Sequence, residues 1–229
     1  MGWKASTIFI NTQKEIDYFE MLNDLGFLNL IKIEDEPFEV AIFPGDKKVY
    51  VGNYKENLII CIPDLPLTFF DETLSEQEKI LIKRFPNTEI CSIAMHSVVN
   101  YWGYSVIING QKIRARAGSA DHGTFTEFGE PLDQEKELLS KSTIDKDGNR
   151  TYIFDDFPDE PFTEDQVGEN FVFEISSRYI GTQPDKADEL LFDTILIGYS
   201  YSENMFEQKG NSSTKLQNEM KNRPWWKIW

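Results

Sequence analysis

The sequence predicts an α+β domain in which a largely antiparallel central sheet is covered by about three helices. Three observations lead to this prediction: an Asn109-Gly110 pair between two apolar runs, strand-like segments in the first half of the chain, and capping boxes that precede apolar stripes. An α/β arrangement with some parallel pairing is the alternative, because the opening strand and helix could enter a mixed sheet.

The centre of the predicted sheet is the segment 88–118, which is apolar, β-branched and interrupted by Asn109-Gly110. We interpret it as one long strand and its antiparallel partner, joined by a two-residue turn. If Ile108 pairs with Gln111, the core face carries Trp102, Tyr104 and Val106 against Ile113, Ala115 and Ala117. Arg114 and Arg116 then lie on the opposite face with Lys112, beside Gly103 and Ser105.

The remaining elements are predicted from local patterns. The capping boxes begin at Thr12, Ser75 and Thr163 and predict helices ending near Gly26, Pro86 and Gly181, with a shorter helix at 131–141. Strands are predicted at 6–10, 27–33, 39–43, 47–51, 57–62, 124–129 and 190–199, the fourth and fifth forming a hairpin with its turn near Gly52-Asn53. The acidic stretch 145–165 is expected to be mostly loop, with a turn at Asp147-Gly148-Asn149 between short strands.

Length and composition predict one domain over residues 1–201, followed by a polar linker and a Trp-rich tail over 202–229. The chain has 229 residues, 40% of them hydrophobic, and no apolar run of spanning length. Its start lacks the pattern of a signal peptide, so we expect a cytoplasmic location. Cys61 and Cys91 each lie within an apolar run, which favours two buried free thiols over a disulfide or a metal site.

The charge is strongly negative and unevenly distributed. Residues 203–229 contain five basic and three acidic side chains, so the net charge of −16 leaves −18 on the preceding 202 residues. A negative body repels phosphates, so no nucleic-acid partner is expected, and a basic protein partner is favoured.

The tail contains three of the five tryptophans, at Trp225, Trp226 and Trp229. Tryptophan beside lysine is typical of a bilayer interface and of segments that enter an apolar pocket on another protein. The tail is therefore predicted to dock on a partner or a membrane surface, and the alternative is that it folds back on its own acidic body.

Three short blocks carry a resemblance to a family of uncharacterised bacterial proteins, a domain of unknown function. They are Met1-Gly2-Trp3-Lys4, Ala94-Met95-His96-Ser97-Val98-Val99 and Gly129-Glu130-Pro131-Leu132. The resemblance extends from Met1 to about Tyr199 and implies a bacterial, soluble protein, but no activity.

Catalytic chemistry has few candidates in this chain, which has only two histidines. His96 lies in an apolar strand and is expected to be a buried, hydrogen-bonded side chain. The predicted register places His122 opposite Ser97, and a histidine beside a serine can activate the hydroxyl for acyl transfer. However, Asp121 would point to the other face and the serine lacks a strained turn, so the pair is a weak catalytic candidate. No metal site and no cofactor are predicted.

The predicted basic face suggests a second kind of site. Arg114 and Arg116 would form a local positive patch, and paired guanidinium groups bind carboxylates or phosphates. The alternative is that both arginines pair with the acidic residues 155–165 and serve the fold alone.

These observations favour a non-enzymatic binding or regulatory protein, similar in kind to an immunity protein or an inhibitor, with a docking tail. The alternative function is a small-anion-binding protein or hydrolase that uses the face of Arg114, Arg116, Ser97 and His122. A deep pocket at that face would favour the alternative, and a filled face would favour the binding protein.

Overall fold

The computed structural model describes residues 2–206, and its main feature is one large sheet. The sheet has ten strands, and every strand pair recorded in the described residues is antiparallel. In chain order the strands of this sheet are β1 (Lys4–Asn11), β3 (Ile31–Lys32), β4 (Glu36–Pro37), β5 (Lys48–Tyr54), β6 (Asn57–Cys61), β7 (Glu89–His96), β8 (Tyr101–Ile108), β9 (Gln111–Ser119), β10 (Gly123–Phe128) and β14 (Ile195–Ser200). Their spatial order is β10-β9-β8-β7-β1-β6-β5-β14-β3, and β4 also pairs with β14.

The remaining strands of the described residues form two small sheets. The first contains β11 (Ser142–Ile144), β12 (Arg150–Phe154) and β13 (Phe157–Thr163), and the second pairs β2 (Phe27–Leu28) with β15 (Glu203–Asn204). The acidic stretch 145–165, predicted to be mostly loop, therefore contains two paired strands. The predicted turn within it is present, because the Asp145 carboxylate accepts hydrogen bonds from the backbone N–H groups of Asp147 and Asn149.

The helices cover both faces of the large sheet. They are α1 (Tyr18–Asp24), α2 (Phe38–Ala41), α3 (Glu76–Arg84), α4 (Asp133–Ser140) and α5 (Glu164–Ile180), with one π-helical turn at Glu189–Asp193. One core contains side chains of α5 and the sheet residues Phe9, Ile93 and Trp102, and the other contains side chains of α1 and α3 with Ile8, Ile60 and Ile90. The predicted antiparallel sheet is confirmed in this coarse form, whereas the predicted number of about three helices is too low.

Two of the predicted capping boxes begin helices as expected. Ser75 accepts a hydrogen bond from Glu78 N while Glu78 accepts one from Ser75 N, and Gln166 likewise accepts a hydrogen bond from Thr163 N at 2.9 Å. At the end of α5, Gly181 has a φ of +87°, a backbone conformation that favours glycine.

Four local predictions are wrong. The first helix begins after Asp17, which caps Glu20 N, and not at Thr12. The segment 39–43, predicted as a strand, belongs largely to helix α2 because Pro37 occupies its N-cap position. The β5–β6 hairpin turns at Lys55-Glu56, after the predicted Gly52-Asn53, and the predicted final strand begins only at Ile195.

The predicted long strand at 88–108 is in fact two strands that fold back on each other. Strand β7 ends at His96, a 3₁₀ turn follows at Ser97–Val99, and β8 begins at Tyr101. Asn100 ends the turn with a φ of +48°, a conformation that asparagine tolerates better than most residues. Strands β7 and β8 pair along their whole length, from Glu89 opposite Ile108 to His96 opposite Tyr101.

A β-bulge changes the register of the β8–β9 hairpin. Ile108 pairs with Gln111 and Ile107 with Lys112 as predicted, but Val106 then pairs with Arg114 and Tyr104 with Arg116. The extra residue at this point moves every later residue of β9 to the other face. The prediction that Arg114 and Arg116 lie beside Gly103 and Ser105 is therefore wrong, because both arginines lie on the core face with Trp102 and Tyr104.

Candidate functional site: the buried arginine network

Arg114 is buried in the core and bound on all sides by the protein itself. Its Nε lies 3.0 and 3.1 Å from the two carboxylate oxygens of Glu135, and its Nη2 lies 2.6 Å from Glu135 Oε1. Its Nη1 donates to the carbonyl oxygen of Gly129 at 2.6 Å, and its Nη2 reaches Glu127 at 3.1 Å. Such a bidentate, charge-assisted pair leaves this guanidinium no free edge for an external anion.

Glu135 joins this pair to the start of α4. Its side chain is fully buried, accepts a hydrogen bond from Leu132 N at 2.8 Å, and accepts another from the Tyr104 hydroxyl at 2.6 Å. Burial, together with the negative charge of Glu135, raises the pKa of Tyr104 well above its ordinary value. Tyr104 is therefore a neutral donor at any pH near neutrality, and Glu135 is satisfied by a cation, a hydroxyl and a backbone amide.

Arg116 lies two residues further along β9 and packs against aromatic rings. Its guanidinium carbon is 4.4 Å from the centre of the Phe171 ring and 5.4 Å from that of Trp102, and its Nη2 donates to Glu164. Burial disfavours its charge, but the neighbouring Tyr104, Glu164 and Glu127 outweigh burial and raise the pKa of Arg116. It remains a cation held between aromatic faces and carboxylates.

The network as a whole is balanced in charge and spans several elements. Glu164, at the first residue of α5, also accepts a hydrogen bond from Tyr152 at 2.9 Å and lies 3.4 Å from Arg150 of β12. Glu127 of β10 lies 3.1 Å from Arg114 and 3.4 Å from Arg116. The three carboxylates, from Glu127, Glu135 and Glu164, thus face three guanidinium groups and connect the large sheet to α4, α5 and the small three-stranded sheet.

The two arginines proposed for anion binding therefore lie on the core face and are paired with carboxylates of the protein itself. The alternative prediction, that both arginines pair with acidic residues of 155–165, is closer to the structure. Glu164 does pair with Arg116, but the other carboxylate partners, Glu127 and Glu135, lie outside that stretch. The sequence signal for Glu135 was available in part, because it follows Leu132 by three residues at the start of a predicted helix.

The weak catalytic candidates do not form a catalytic arrangement. The Ser97 hydroxyl donates to Glu169 and lies 3.0 Å from the carbonyl oxygen of Trp3, while Trp3 N donates to Ser97 Oγ at 2.9 Å. His122 lies in the exposed turn between β9 and β10, and no hydrogen bond joins it to Ser97. The predicted register that placed Ser97 opposite His122 is wrong, because the chain turns at Ser97.

His96 lies at the end of β7 and is buried, as the sequence suggests. Its ring packs edge-on against Phe43, with ring centres 6.3 Å apart. Burial and the nearby Lys4 ammonium lower the pKa of His96. A neutral imidazole against an aromatic ring suits a packing role at this sheet end.

A second buried ion pair escaped the sequence analysis. Lys112 and Glu78 lie on the other side of the sheet, 2.8 Å apart, with side chains 3% and 0% exposed. The Lys112 ammonium also donates to the carbonyl oxygens of Phe69 and Asp71 at 2.8 and 2.6 Å. Lys112 thereby fixes the loop between β6 and α3 against the β8–β9 hairpin.

A shallow, open polar depression lies elsewhere on the surface, with a volume of about 280 Å³. Its lining comes from the β1–α1 connection and the β5–β6 hairpin: Thr12, Gln13, Lys14, Glu15, Asn53 and Lys55. Lys55 is committed to the fold, since its ammonium donates to the carbonyl oxygen of Ile180 at the end of α5.

Three further predictions concern metal binding, membrane-spanning helices and the tail. Within residues 2–206, no group of three or more His, Cys, Asp or Glu side chains is arranged to hold a metal ion. Among those residues there is also no helix with the length and apolar character needed to cross a bilayer. Trp225, Trp226 and Trp229 lie outside the described residues, so their predicted docking role stays a prediction.

Comparison with known proteins gives one match. A family model described as a family of unknown function, DUF6928, matches residues 26–186. No curated protein and no solved structure matches the chain. The matched region includes the β8–β9 hairpin, both network arginines and their three carboxylate partners.

Proposed function

The chain belongs to the DUF6928 family of unknown function, and within it we propose a non-enzymatic binding or regulatory protein that recognises a basic partner. One observation supports this proposal: Arg114 and Arg116, the two residues predicted to bind a small anion, are paired with the protein's own carboxylates. Arg114 is 0% exposed and Arg116 is 0% exposed, and each is paired with buried or half-buried carboxylates.

The charge distribution supports the choice of partner. The buried arginines are neutralised within the fold, so the large negative charge of the chain is carried by exposed acidic side chains. Such a surface attracts cationic proteins over a distance of about one Debye length, roughly 8 Å at physiological salt. It repels nucleic acid, which is excluded as a partner in this proposal.

The tail supplies the second contact of the proposed function. Trp225, Trp226 and Trp229 are large amphipathic side chains that act as anchors at protein interfaces and at bilayer surfaces. In this proposal they dock on the partner or on a membrane surface while the acidic body provides attraction and orientation. The protein acts in the cytoplasm of a bacterium, where the free thiols of Cys61 and Cys91 stay reduced.

The test is affinity capture from the extract of the source organism with the immobilised full chain. A triple variant, Trp225→Ala with Trp226→Ala and Trp229→Ala, is compared with wild type and with a control that loses exposed apolar groups of the body, Ile31→Ala with Ile144→Ala. We expect wild type and control to recover the same basic protein, or to float with zwitterionic vesicles, at low salt. Loss of recovery at about 0.5 M salt is expected because screening weakens exposed charge contacts.

The proposal fails if the triple variant recovers the same proteins and vesicles as wild type, or if the recovered partner is acidic. Turnover of ester or phosphate substrates that disappears in Ser97→Ala would favour the alternative hydrolase instead.

A further inference from the structure

Three aromatic side chains meet at the surface, two of them from α1 and one from β14. The rings of Phe19 and Tyr199 lie 6.5 Å apart between their centres, with an angle of 64° between their planes. Tyr18 precedes Phe19 in α1, and its hydroxyl accepts a hydrogen bond from the Asn53 side chain at 2.6 Å. We call Tyr18, Phe19 and Tyr199 the aromatic corner.

The aromatic corner lies on a single face of the large sheet. Tyr199 pairs with Val49 of β5, and directly opposed residues of paired strands share a face. The Val49 side chain belongs to the same buried core as Met21 and Leu22 of α1, so Tyr199 points to the side that α1 covers. The inner parts of Tyr18 and Tyr199 pack against this core, which holds the two rings in place.

The aromatic corner is open to solvent. Phe19 is 49% exposed, and Tyr18 and Tyr199 are half-buried. Aromatic rings that are held in place offer a large contact area to a partner at a small cost in side-chain entropy. The aromatic corner therefore has the character of an interface anchor.

Negative charge borders the aromatic corner. Asp17 immediately precedes it, accepts a hydrogen bond from Glu20 N at 3.0 Å, and forms no ion pair within residues 2–206. Burial and the negative charges of Asp17 and Asp35 raise the pKa of Tyr199. Lys32, which pairs with Tyr199 across the strands, has its ammonium 3.7 Å from Asp35. A positive charge that enters the corner would therefore meet the unpaired carboxylate of Asp17.

The chain supplies cations to several other aromatic rings. Basic side chains of the described residues lie over the rings of Phe43, Tyr54, Trp102, Phe154 and Phe171. The distances from cation to ring centre run from 4.4 to 5.7 Å, within the range of a cation–π contact. No basic side chain of residues 2–206 lies over Phe19 or Tyr199. The aromatic corner thus has the rings and the charge for a cation that the described chain does not provide.

We infer that the aromatic corner and Asp17 bind an arginine or lysine side chain of the basic partner. The rings attract a cation through their quadrupoles, and the carboxylate attracts it through its charge. A neutral side chain of the same shape gains neither contact, and a phosphate is repelled. This inference rests on the proposed function and adds the surface of the body that recognises the positive charge of the partner.

The test is ¹⁹F NMR of the full chain labelled with 3-fluorotyrosine, titrated with the peptide Gly-Arg-Gly-Arg-Gly at neutral pH and constant ionic strength. The same peptide with citrulline in place of arginine is the neutral probe. Single Tyr→Phe variants assign the lines of Tyr18 and Tyr199 among the nine tyrosines. The Tyr101 line is the internal reference, because Tyr101 stacks on Phe125, which is 36% exposed and has no acidic neighbour in sequence.

Two variants remove one component of the site each. Phe19→Leu keeps an apolar side chain but removes the ring. Asp17→Asn removes the charge and keeps a residue that caps a helix about as well. The matched control is Phe125→Leu, which makes the same change at the reference pair.

We expect the arginine peptide to shift the Tyr18 and Tyr199 lines saturably and the citrulline peptide to leave them in place. Phe19→Leu and Asp17→Asn should each raise the dissociation constant roughly two- to fivefold, the effect of one exposed cation contact, and Phe125→Leu should leave it unchanged. The inference is overturned if the citrulline peptide shifts the lines equally, if the Tyr101 line moves with them, or if either variant binds as tightly as wild type.

The capture experiment decides the proposed function separately. A basic partner recovered equally well by wild type and by Phe19→Leu would overturn the inference and leave the proposed function intact. Recovery of no basic protein, with the peptide titration as expected, would instead refute the proposed function and keep the cation site.

Discussion

Removal of the Glu135 carboxylate is expected to destabilise the protein more than any comparable surface change. In Glu135→Ala, Arg114 keeps its charge in a fully buried position, and the Tyr104 hydroxyl and Leu132 N lose their acceptor. Breaking a buried ion pair from one side costs about 3–5 kcal/mol, because the remaining charge is left without compensation. With a urea m-value of about 3 kcal/mol/M, the unfolding midpoint should fall by about 1 to 1.7 M.

The control lies on the same helix. Glu137 is 82% exposed and pairs with Lys141 at the helix surface, so Glu137→Ala should cost less than about 0.5 kcal/mol. Both variants are unfolded in urea and followed by circular dichroism at neutral pH. A midpoint for Glu135→Ala within error of the Glu137→Ala midpoint would refute the view that the arginine network is a structural element.

Three further outcomes are expected. Burial raises the pKa of Glu127, but the contacts with Arg116 and Arg114 outweigh burial and hold this pKa below its ordinary value. The ionised Glu127 therefore stabilises the fold above about pH 4.5, and this contribution is lost on acidification. In acid titrations, Glu127→Gln should lose less stability below that pH than wild type does. Gly168→Ala should lower the midpoint of thermal unfolding by several degrees, because a Cβ at this position would approach the Trp102 indole to within 2.0 Å. The control Gly45→Ala should leave the midpoint unchanged, because Gly45 faces open space. Burial raises the pKa of Cys61 to about 12 and that of Cys91 further, so neither thiol should react with a disulfide reagent until the chain is unfolded in denaturant.

The sequence predicted the elements whose signals are local. The Ser75 and Thr163 capping boxes and the Asn109-Gly110 turn are read from a few neighbouring residues, and each occurs where it was expected. The Thr12 box failed because the Thr12 hydroxyl instead accepts a hydrogen bond from Lys14 N, within the loop before α1. A capping pattern competes with other local hydrogen bonds, and tertiary packing decides between them.

The arginine network could not be predicted because it depends on one extra residue, the bulge in β9. The turn was correct and so was the pairing of Ile108 with Gln111, but the bulge between Lys112 and Arg114 moved all later β9 residues to the other face of the sheet. The alternation of polar and apolar residues along a strand cannot reveal such a bulge. An arginine within a strand is assigned to the solvent face because it is polar, even where it lies in the core. The partners of the arginines come from β10, α4 and α5, and that proximity exists only in the folded chain.

The division of the segment 88–108 was missed for a related reason. Its apolar run continues through Val98 and Val99, which are 63% and 41% exposed in the turn between β7 and β8. A turn with apolar residues has no Gly or Pro signal, so the run resembled one long strand.

The most direct test of the central claim is thermal unfolding of the full chain in a panel of anions at constant ionic strength. The claim is that Arg114 and Arg116 are paired with the carboxylates of Glu127, Glu135 and Glu164 and do not bind an external anion. The expected result is that phosphate, sulfate and citrate raise the unfolding midpoint no more than chloride does. Saturable stabilisation by one anion that is lost in Arg116→Lys would contradict the claim and restore the arginine face as a binding site.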